Sequence, residues 1–145
     1  MTGGLDDLCA ITDALYQTDL ARLQAITAEE NALRGEMAAL DDEVRRAETL
    51  PEDGAMALRQ FGGDLLWKAW VGRKRQALNL KLANLRVRKQ TALQALQRSF
   101  GKKSVSMDLQ VHARQDQRSQ HALRQLAEEQ SQMVLQASRA RSADR

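Results

Sequence analysis

The chain has 145 residues, of which 43% are hydrophobic and 28% are charged, and its aromatic residues are two Trp, two Phe and one Tyr. The hydrophobic residues are mainly Leu and Ala, which favour helices, instead of the Val, Ile and Phe that fill sheets and globular interiors. With one proline, Pro51, this composition argues against a compact globular core and predicts long helices.

Cys9 is the only cysteine, so an intrachain disulfide and a cysteine zinc cluster are both excluded. The first residues lack the basic region and the apolar run of a secretory signal. No window approaches the roughly 20 apolar residues that a membrane span needs. We therefore expect a cytoplasmic protein.

The net charge of +3 hides an uneven distribution along the chain. Residues 1–55 contain thirteen acids and four bases, whereas residues 56–145 contain six acids and eighteen bases. A parallel self-dimer would set like charges side by side, whereas folding the chain back on itself sets acid against base. The charge pattern therefore favours an antiparallel hairpin.

In the N-terminal part, a coiled-coil pattern runs from Leu23 to Ala47, with alternating spacings of three and four. Its intermediate positions are Ile26, Glu30, Leu33, Met37, Leu40 and Val44. Upstream, Leu5, Leu8, Ile11 and Leu15 continue an apolar face in a slightly shifted phase. We predict one helix over about residues 5–48.

A turn between two helices is predicted at residues 49–63, which hold Pro51 and three of the eight glycines. Within this turn, residues 55–61 are compatible with one or two helical turns. These would pack Met56, Leu58 and Phe61 over the end of the hairpin.

A second helix is predicted over about residues 64–138, with Asp64 as its N-cap and residues 139–145 as a frayed tail. Its stripe consists of Trp67, Val71, Leu78, Leu82, Leu85, Lys89, Ala92, Leu96 and Phe100. Beyond Gly101 the stripe resumes as Val105, Leu109, His112, Asp116, Ser119, Leu123, Leu126, Gln130, Met133 and Ala137. Two interpretations stay open for residues 101–138: they continue the helix beyond a kink at Gly101, or they fold back into a three-helix bundle.

The predicted fold class is therefore all-α, a long antiparallel two-helix coiled-coil hairpin with an extended second helix, forming one domain over residues 1–138. Because the second helix is longer than the first, roughly 30 of its residues lack an intrachain mate. We expect binding to other macromolecules on this overhang.

The sequence does not assemble a catalytic or metal site. His112 and His121 are nine residues apart, which places them on opposite faces of a helix, so they cannot share a metal. The segment GKKS at 101–104 resembles the end of a phosphate-binding loop but lacks the upstream glycine and strand. We expect a protein without enzymatic activity, metal, cofactor or small-molecule substrate.

The start of the second helix offers the best candidate binding group. Trp67 and Trp70 are three residues apart and share a side of the helix with Val71 and Lys74. Two interpretations are open: the tryptophans cap the hairpin by lying over Met56 and Phe61, or they form an exposed anchor for a partner. Nucleic acid is an alternative partner for the basic residues 68–103, although the acidic first helix would neutralise them.

Two stretches resemble the flagellar export protein FliJ family and the YscO-type central stalk proteins of type III secretion. They are WKAWVGRKRQALNLKLANLRVRKQTALQAL, beginning at Trp67, and RQLAEEQSQMVLQASRAR, beginning at Arg124. The overall layout of a first helix, a turn near residues 50–63 and a longer basic helix is also similar to this family.

The resemblance implies a non-enzymatic stalk whose two chain ends enter the pore of a hexameric export ATPase. It also implies that Trp67, Trp70, Val71 and Lys74 face the cytoplasmic domain of the export gate, so the membrane is approached only peripherally. A generic coiled-coil scaffold or adaptor stays open as an alternative function.

Overall fold

A computed structural model describes residues 3–49, 51–60 and 62–143, without the side chains of residues 52, 54, 55, 58 and 143. These residues form three helices and no strand: α1 (Gly3–Glu48), α2 (Glu52–Gln60) and α3 (Gly63–Ala143). The predicted all-α fold class is confirmed.

The last turn of helix α1 and the proline that follows it account for where the helix ends. Arg45 and Arg46 occupy the last turn, where positive charge interacts favourably with the helix dipole. The Thr49 amide donates to the Arg45 carbonyl at 3.2 Å, and Pro51 then prevents a regular continuation of the helix. Gly35 lies inside α1 without interrupting it.

Helix α2 occupies most of the predicted turn and begins at Glu52, three residues before the expected start. It stops before Gly62, whose φ of 70° is a left-handed conformation that favours glycine. Met56, which was expected to pack over the hairpin end, is 62% exposed. The Leu58 side chain and Phe61, named in the same expectation, lie outside the described residues.

Helix α3 has 81 residues and is continuous through Gly101. Residues 101–138 therefore continue the helix instead of folding back. The helix also runs to Ala143, beyond the tail expected from Arg139, because Ala, Arg and Ser in this stretch are compatible with continued helical hydrogen bonding. None of the described helices has the combination of length and apolarity that crossing a bilayer demands.

The chain divides into two compact units. We call residues 15–99 the continuous unit, and residues 1–14 with 100–145 the split unit. Each contains a part of α1 and a part of α3.

In the continuous unit, α1 and α3 pack through two apolar clusters. One contains Ile26, Leu85 and Ala92, and the other Leu40, Val71 and Leu78. Further apolar residues pack against them: Leu23, Leu33, Met37, Val44 and Trp67. Burial of leucine-sized side chains contributes about 1.5–3 kcal/mol each, so these clusters supply the main stabilisation of the unit.

Ion pairs flank the clusters of the continuous unit and join acids of α1 to bases of α3. The side-chain N···O distances are 2.5 Å for Asp41 with Arg75, 2.9 Å for Glu29 with Arg88 and 2.7 Å for Glu30 with Lys89. As the residue number rises along α3, the number of its partner in α1 therefore falls.

In the split unit, the face of α1 that packs differs from the predicted apolar face. Thr12 and Ser106 are buried, whereas Leu8, Ile11, Val105 and Leu109 are 40–59% exposed. Residues seven apart in an unbroken helix share a face, and Thr12 precedes Ile26 by fourteen residues. Thr12 thus falls on the heptad position that packs in α1, and the apolar residues of the shifted phase do not.

Candidate partner-binding site

The two tryptophans at the start of α3 stack on each other. Their ring centroids are 5.1 Å apart and their planes are inclined by 23°. This contact follows from their spacing of three residues, which places both side chains on neighbouring positions of the helix surface. Stacking fixes both rings and lowers the entropy that a partner would have to remove on binding.

The structure separates the four predicted site residues by burial. Val71 is 7% exposed and packs with Leu40, and Trp67 is partly buried against the same cluster. Val71 is therefore a packing residue, whose side chain is inaccessible to a partner while the two helices stay packed. Trp67 lies at the edge of the packed interior, with part of its side chain at the surface.

Trp70 and Lys74 are the exposed members of the group. Trp70 is 38% exposed, and Lys74 Nζ lies 5.0 Å from the centroid of its ring, which is a cation–π contact. Leu66, four residues before Trp70, is 69% exposed and extends the same side of the helix. We call Leu66, Trp70 and Lys74 the tryptophan face.

Sequence reasoning missed Leu66 and its neighbour Leu65, which is 76% exposed. The signal was present in the run LLW, because apolar residues at three successive helix positions cannot all face the same interior. In the expected cap, the tryptophans would cover Met56. The Met56 side chain is instead largely exposed. Trp67 instead covers the end of the cluster containing Leu40 and Val71.

A cavity of about 650 Å³ adjoins Trp67. It is lined by Val44, Ala47 and Glu48 of α1, Arg59 of α2, and Asp64, Trp67, Lys68, Val71, Gly72 and Arg75 of α3. Lys68 is paired with Asp64 at 3.2 Å. The Trp67 ring and the two valines give the cavity an apolar part, and five charged residues line the rest, so it suits a partner segment with both apolar and charged side chains.

Glu30 forms a charged contact inside the packed face of α1. Its carboxylate accepts hydrogen bonds from Lys89 Nζ at 2.7 Å and from Arg34 Nη2 at 2.6 Å, and its side chain is 8% exposed. The hydrogen bond from Lys89 lowers the pKa of Glu30 below its ordinary value, against the opposing effect of desolvation. A charged pair at a packing position specifies which residues of two helices face each other.

The two histidines make separate local contacts. His112 Nδ1 lies 2.7 Å from the carbonyl of Asp108, and His121 Nε2 lies 3.1 Å from Nε2 of Gln125. Within the described ranges, no group of three or more His, Cys, Asp or Glu side chains is placed to hold a metal ion.

Several bases in the segment 68–103 are engaged within the chain. Arg75, Arg88 and Lys89 contact acids of α1, and Lys103 Nζ lies 2.6 Å from Asp13 Oδ1. These contacts reduce the positive charge available to a phosphate backbone.

The chain was compared with protein-family models, curated proteins and solved structures, and it matches none of them.

Proposed function

We propose that this chain is a non-enzymatic coupling protein of a flagellar-type, or type III, protein export apparatus. In this proposal it is an antiparallel coiled-coil stalk that links a hexameric export ATPase to the cytoplasmic domain of the export gate. The observation that carries the proposal is a stacked tryptophan pair at the start of α3, in which Trp70 is exposed and Trp67 packs against the apolar cluster between acidic α1 and basic α3.

The order of the ion pairs supports the antiparallel direction. Asp41 pairs with Arg75, while Glu29, twelve residues earlier in α1, pairs with Arg88, thirteen residues later in α3. This reversal is what two helices running in opposite directions produce. Residues packed at alternating spacings of three and four, such as Leu78, Leu82 and Leu85, support coiled-coil packing.

The tryptophan face supports a protein partner. Trp residues dominate the energetics of many interfaces because they bury a large area at low entropy cost. Trp70 is ordered by Trp67 and Lys74, and it is still accessible. In this proposal the face contacts the export gate, and the protein acts at the cytoplasmic side of the inner membrane.

A coiled-coil adaptor outside any export apparatus is a second candidate, favoured by one specific observation. Every described side chain from Arg114 to Ser142 is exposed. Large apolar residues in this stretch are Leu123, Leu126, Met133, Val134 and Leu135. An adaptor would use this stretch to bind other helices, without needing the tryptophan face.

The test uses the export ATPase and the gate domain of the same organism, purified and titrated separately with the full chain. The double variant Trp70→Ala/Lys74→Ala is expected to weaken binding to the gate domain about 10- to 100-fold, with ATPase binding unchanged. The matched control is Leu80→Ala/Lys81→Ala, which removes an exposed leucine and a lysine of α3 away from the tryptophan face.

If the unmodified chain binds neither protein, the export function is wrong and the adaptor candidate gains support. If the gate domain binds equally well to the control and to the tryptophan-face variant, the assigned surface is wrong while the function stands.

A further inference from the structure

The split unit has an apolar groove between its parts of α1 and α3. Leu8 of α1 and Val105 and Leu109 of α3 line a groove of about 390 Å³. Asp6 is two residues from Leu8, so it points roughly 200° away around the helix, and it pairs there with Arg114. The groove with its exposed leucine and valine residues therefore lies on a different side of the unit from this charged contact.

These apolar side chains remain 40–58% exposed although α1 and α3 pack beside them. The buried position between the helices holds a hydrogen bond of 2.8 Å between the hydroxyls of Thr12 and Ser106. Ser106 also donates to the Lys103 carbonyl at 2.8 Å. The unit thus uses polar residues inside and leaves apolar residues on the groove, which is the distribution expected where another helix docks.

Gly101 lines the same groove. In the described part of the chain, a Cβ added there would meet no atom within 4 Å beyond its own helical neighbourhood. A glycine inside a helix is unfavourable relative to alanine and has no packing role within this chain. Its small size permits a second helix backbone to approach the groove closely.

The exposed C-terminal part of α3 supplies a matching apolar surface. Leu109 and Leu123 each lie seven residues from Asp116, whereas Val105 lies eleven before it and Leu126 ten after it. All four share one helical stripe, because they are separated by threes, fours and whole heptads. A helix with this symmetry matches a second copy of itself in the antiparallel direction.

Charge selects the same direction. Lys102 stands three residues before Val105, and Glu129 stands three residues after Leu126, so each lies beside one end of the stripe. Antiparallel pairing sets Lys102 of each copy next to Glu129 of the other copy. Parallel pairing would set lysine against lysine and glutamate against glutamate.

We propose that residues 102–129 of α3 dock antiparallel against the same residues of a second copy, with a two-fold axis near Asp116. Leu123 and Leu126 of each copy then enter the groove of the other copy beside Leu8. The interface is isologous and therefore closes as a dimer. At its middle the Asp116 carboxylates of the two copies face each other, and their repulsion weakens the dimer, so the association is reversible. This inference goes beyond the proposed function. The dimer leaves the tryptophan face free but covers the chain ends, so it is a state of the chain before those ends enter the ATPase.

Sedimentation equilibrium of the full chain tests the association. The mass is expected to rise with concentration from 16.2 kDa towards twice that value. Leu109→Glu/Leu123→Glu is expected to raise the dimer dissociation constant at least about tenfold. Leu135→Glu is the matched control, because Leu135 is exposed on α3 but lies outside the stripe. Circular dichroism checks that each variant stays helical.

Charge exchange and cross-linking test the direction. Lys102→Glu and Glu129→Lys are each expected to weaken the dimer, and the double variant to restore it. In a Cys9→Ser background, oxidised Asp116→Cys should form intermolecular disulfides, whereas Gln130→Cys, fourteen residues from the axis, should not. A chain that stays monomeric at every concentration, or equal cross-linking at both positions, overturns the proposal.

Discussion

Lys89 of α3 donates a hydrogen bond of 2.7 Å to Glu30 of α1, at a packing position flanked by apolar clusters. The Glu30 side chain is 8% exposed and that of Lys89 is 34% exposed. A charged pair at this depth favours one alignment of α1 with α3, because sliding one helix along the other would leave a charge in apolar surroundings.

Replacing both members of the pair by leucine separates stability from specificity. We expect Glu30→Leu/Lys89→Leu to unfold at a temperature equal to or above that of the unmodified chain, because apolar side chains avoid the desolvation of two charges. Lys89→Leu alone should lower the unfolding temperature, because it leaves the Glu30 carboxylate poorly compensated. Thermal unfolding followed by circular dichroism measures both, and a double variant less stable than Lys89→Leu would contradict the expectation.

Acid stability should depend on Glu30. Its folded-state pKa is lowered, chiefly by the hydrogen bond from Lys89, so its contribution is present above its unfolded pKa near 4.5 and is lost as the pH falls through the folded value. Glu30→Gln should therefore flatten the fall in stability below about pH 4.5. Glu36→Gln, which alters an exposed acid of the same helix, is the control and should leave the fall unchanged.

The apolar clusters of the continuous unit should carry most of its stability. Leu40 is 2% exposed, so Leu40→Ala is expected to reduce the free energy of unfolding by about 2–5 kcal/mol. Leu80→Ala removes the same atoms from a side chain that is 64% exposed, and should cost less than about 0.5 kcal/mol. Urea unfolding of the two variants checks this difference, and equal losses would place Leu40 outside the interior.

Two glycines should respond oppositely to alanine. Gly101 lies in a helical stretch with open space at its Cβ, so Gly101→Ala is expected to stabilise the chain by up to about 1 kcal/mol. Gly62 has a φ of 70°, so Gly62→Ala is expected to destabilise it by about 1–2 kcal/mol. Denaturant unfolding at low protein concentration measures both, and a loss of stability in Gly101→Ala would reveal an intrachain role for that glycine.

The first turns of α1 should open more readily than its later part. Residues 3–14 contact α3 through the Thr12 hydroxyl, the Cys9 thiol and the Asp13 carboxylate, whereas residues 23–44 bury leucine and isoleucine. Local opening follows the loss of buried apolar area. Hydrogen exchange resolved by peptide should therefore be faster in residues 3–14, and equal protection in both segments would contradict this.

The helices were largely predictable from the sequence, and the reason is visible in particular residues. Leu33, Met37 and Leu40 combine an apolar face with alternating spacings of three and four, and α1 contains all of them. The helix predicted from Leu5 begins two residues earlier, at Gly3.

The packing phase of the terminal segments was predicted wrongly. Hydrophobicity pointed to Leu8 and Ile11, yet Thr12 is the buried residue, because an unbroken helix keeps one heptad phase even where that phase holds polar residues. A similar displacement occurs in α3, where Ser99 is 5% exposed and the predicted Phe100 is 57% exposed. The hydrophobicity of single residues does not reveal which heptad phase packs.

The candidate site was predictable in part. The spacing of Trp67 and Trp70 indicated a shared side of the helix, and their stacking agrees with it. Which side faces the interior depends on α1, and packing against Leu40 places Val71 inside while Trp70 stays accessible. The sequence of α3 alone does not contain that distinction.

The proposed antiparallel pairing of acidic α1 with basic α3 is tested most directly by distances between spin labels in the full chain, in a Cys9→Ser background and diluted with unlabelled protein. Labels at positions 41 and 75, and at 29 and 88, should each give short distances, because these pairs are in contact. Labels at 29 and 75 should be offset by about 18 Å along the helix axis, the rise of twelve helical residues, and should therefore give a clearly longer distance. A short distance for 29 and 75, or a long one for 41 and 75, would contradict the pairing and with it the proposed stalk.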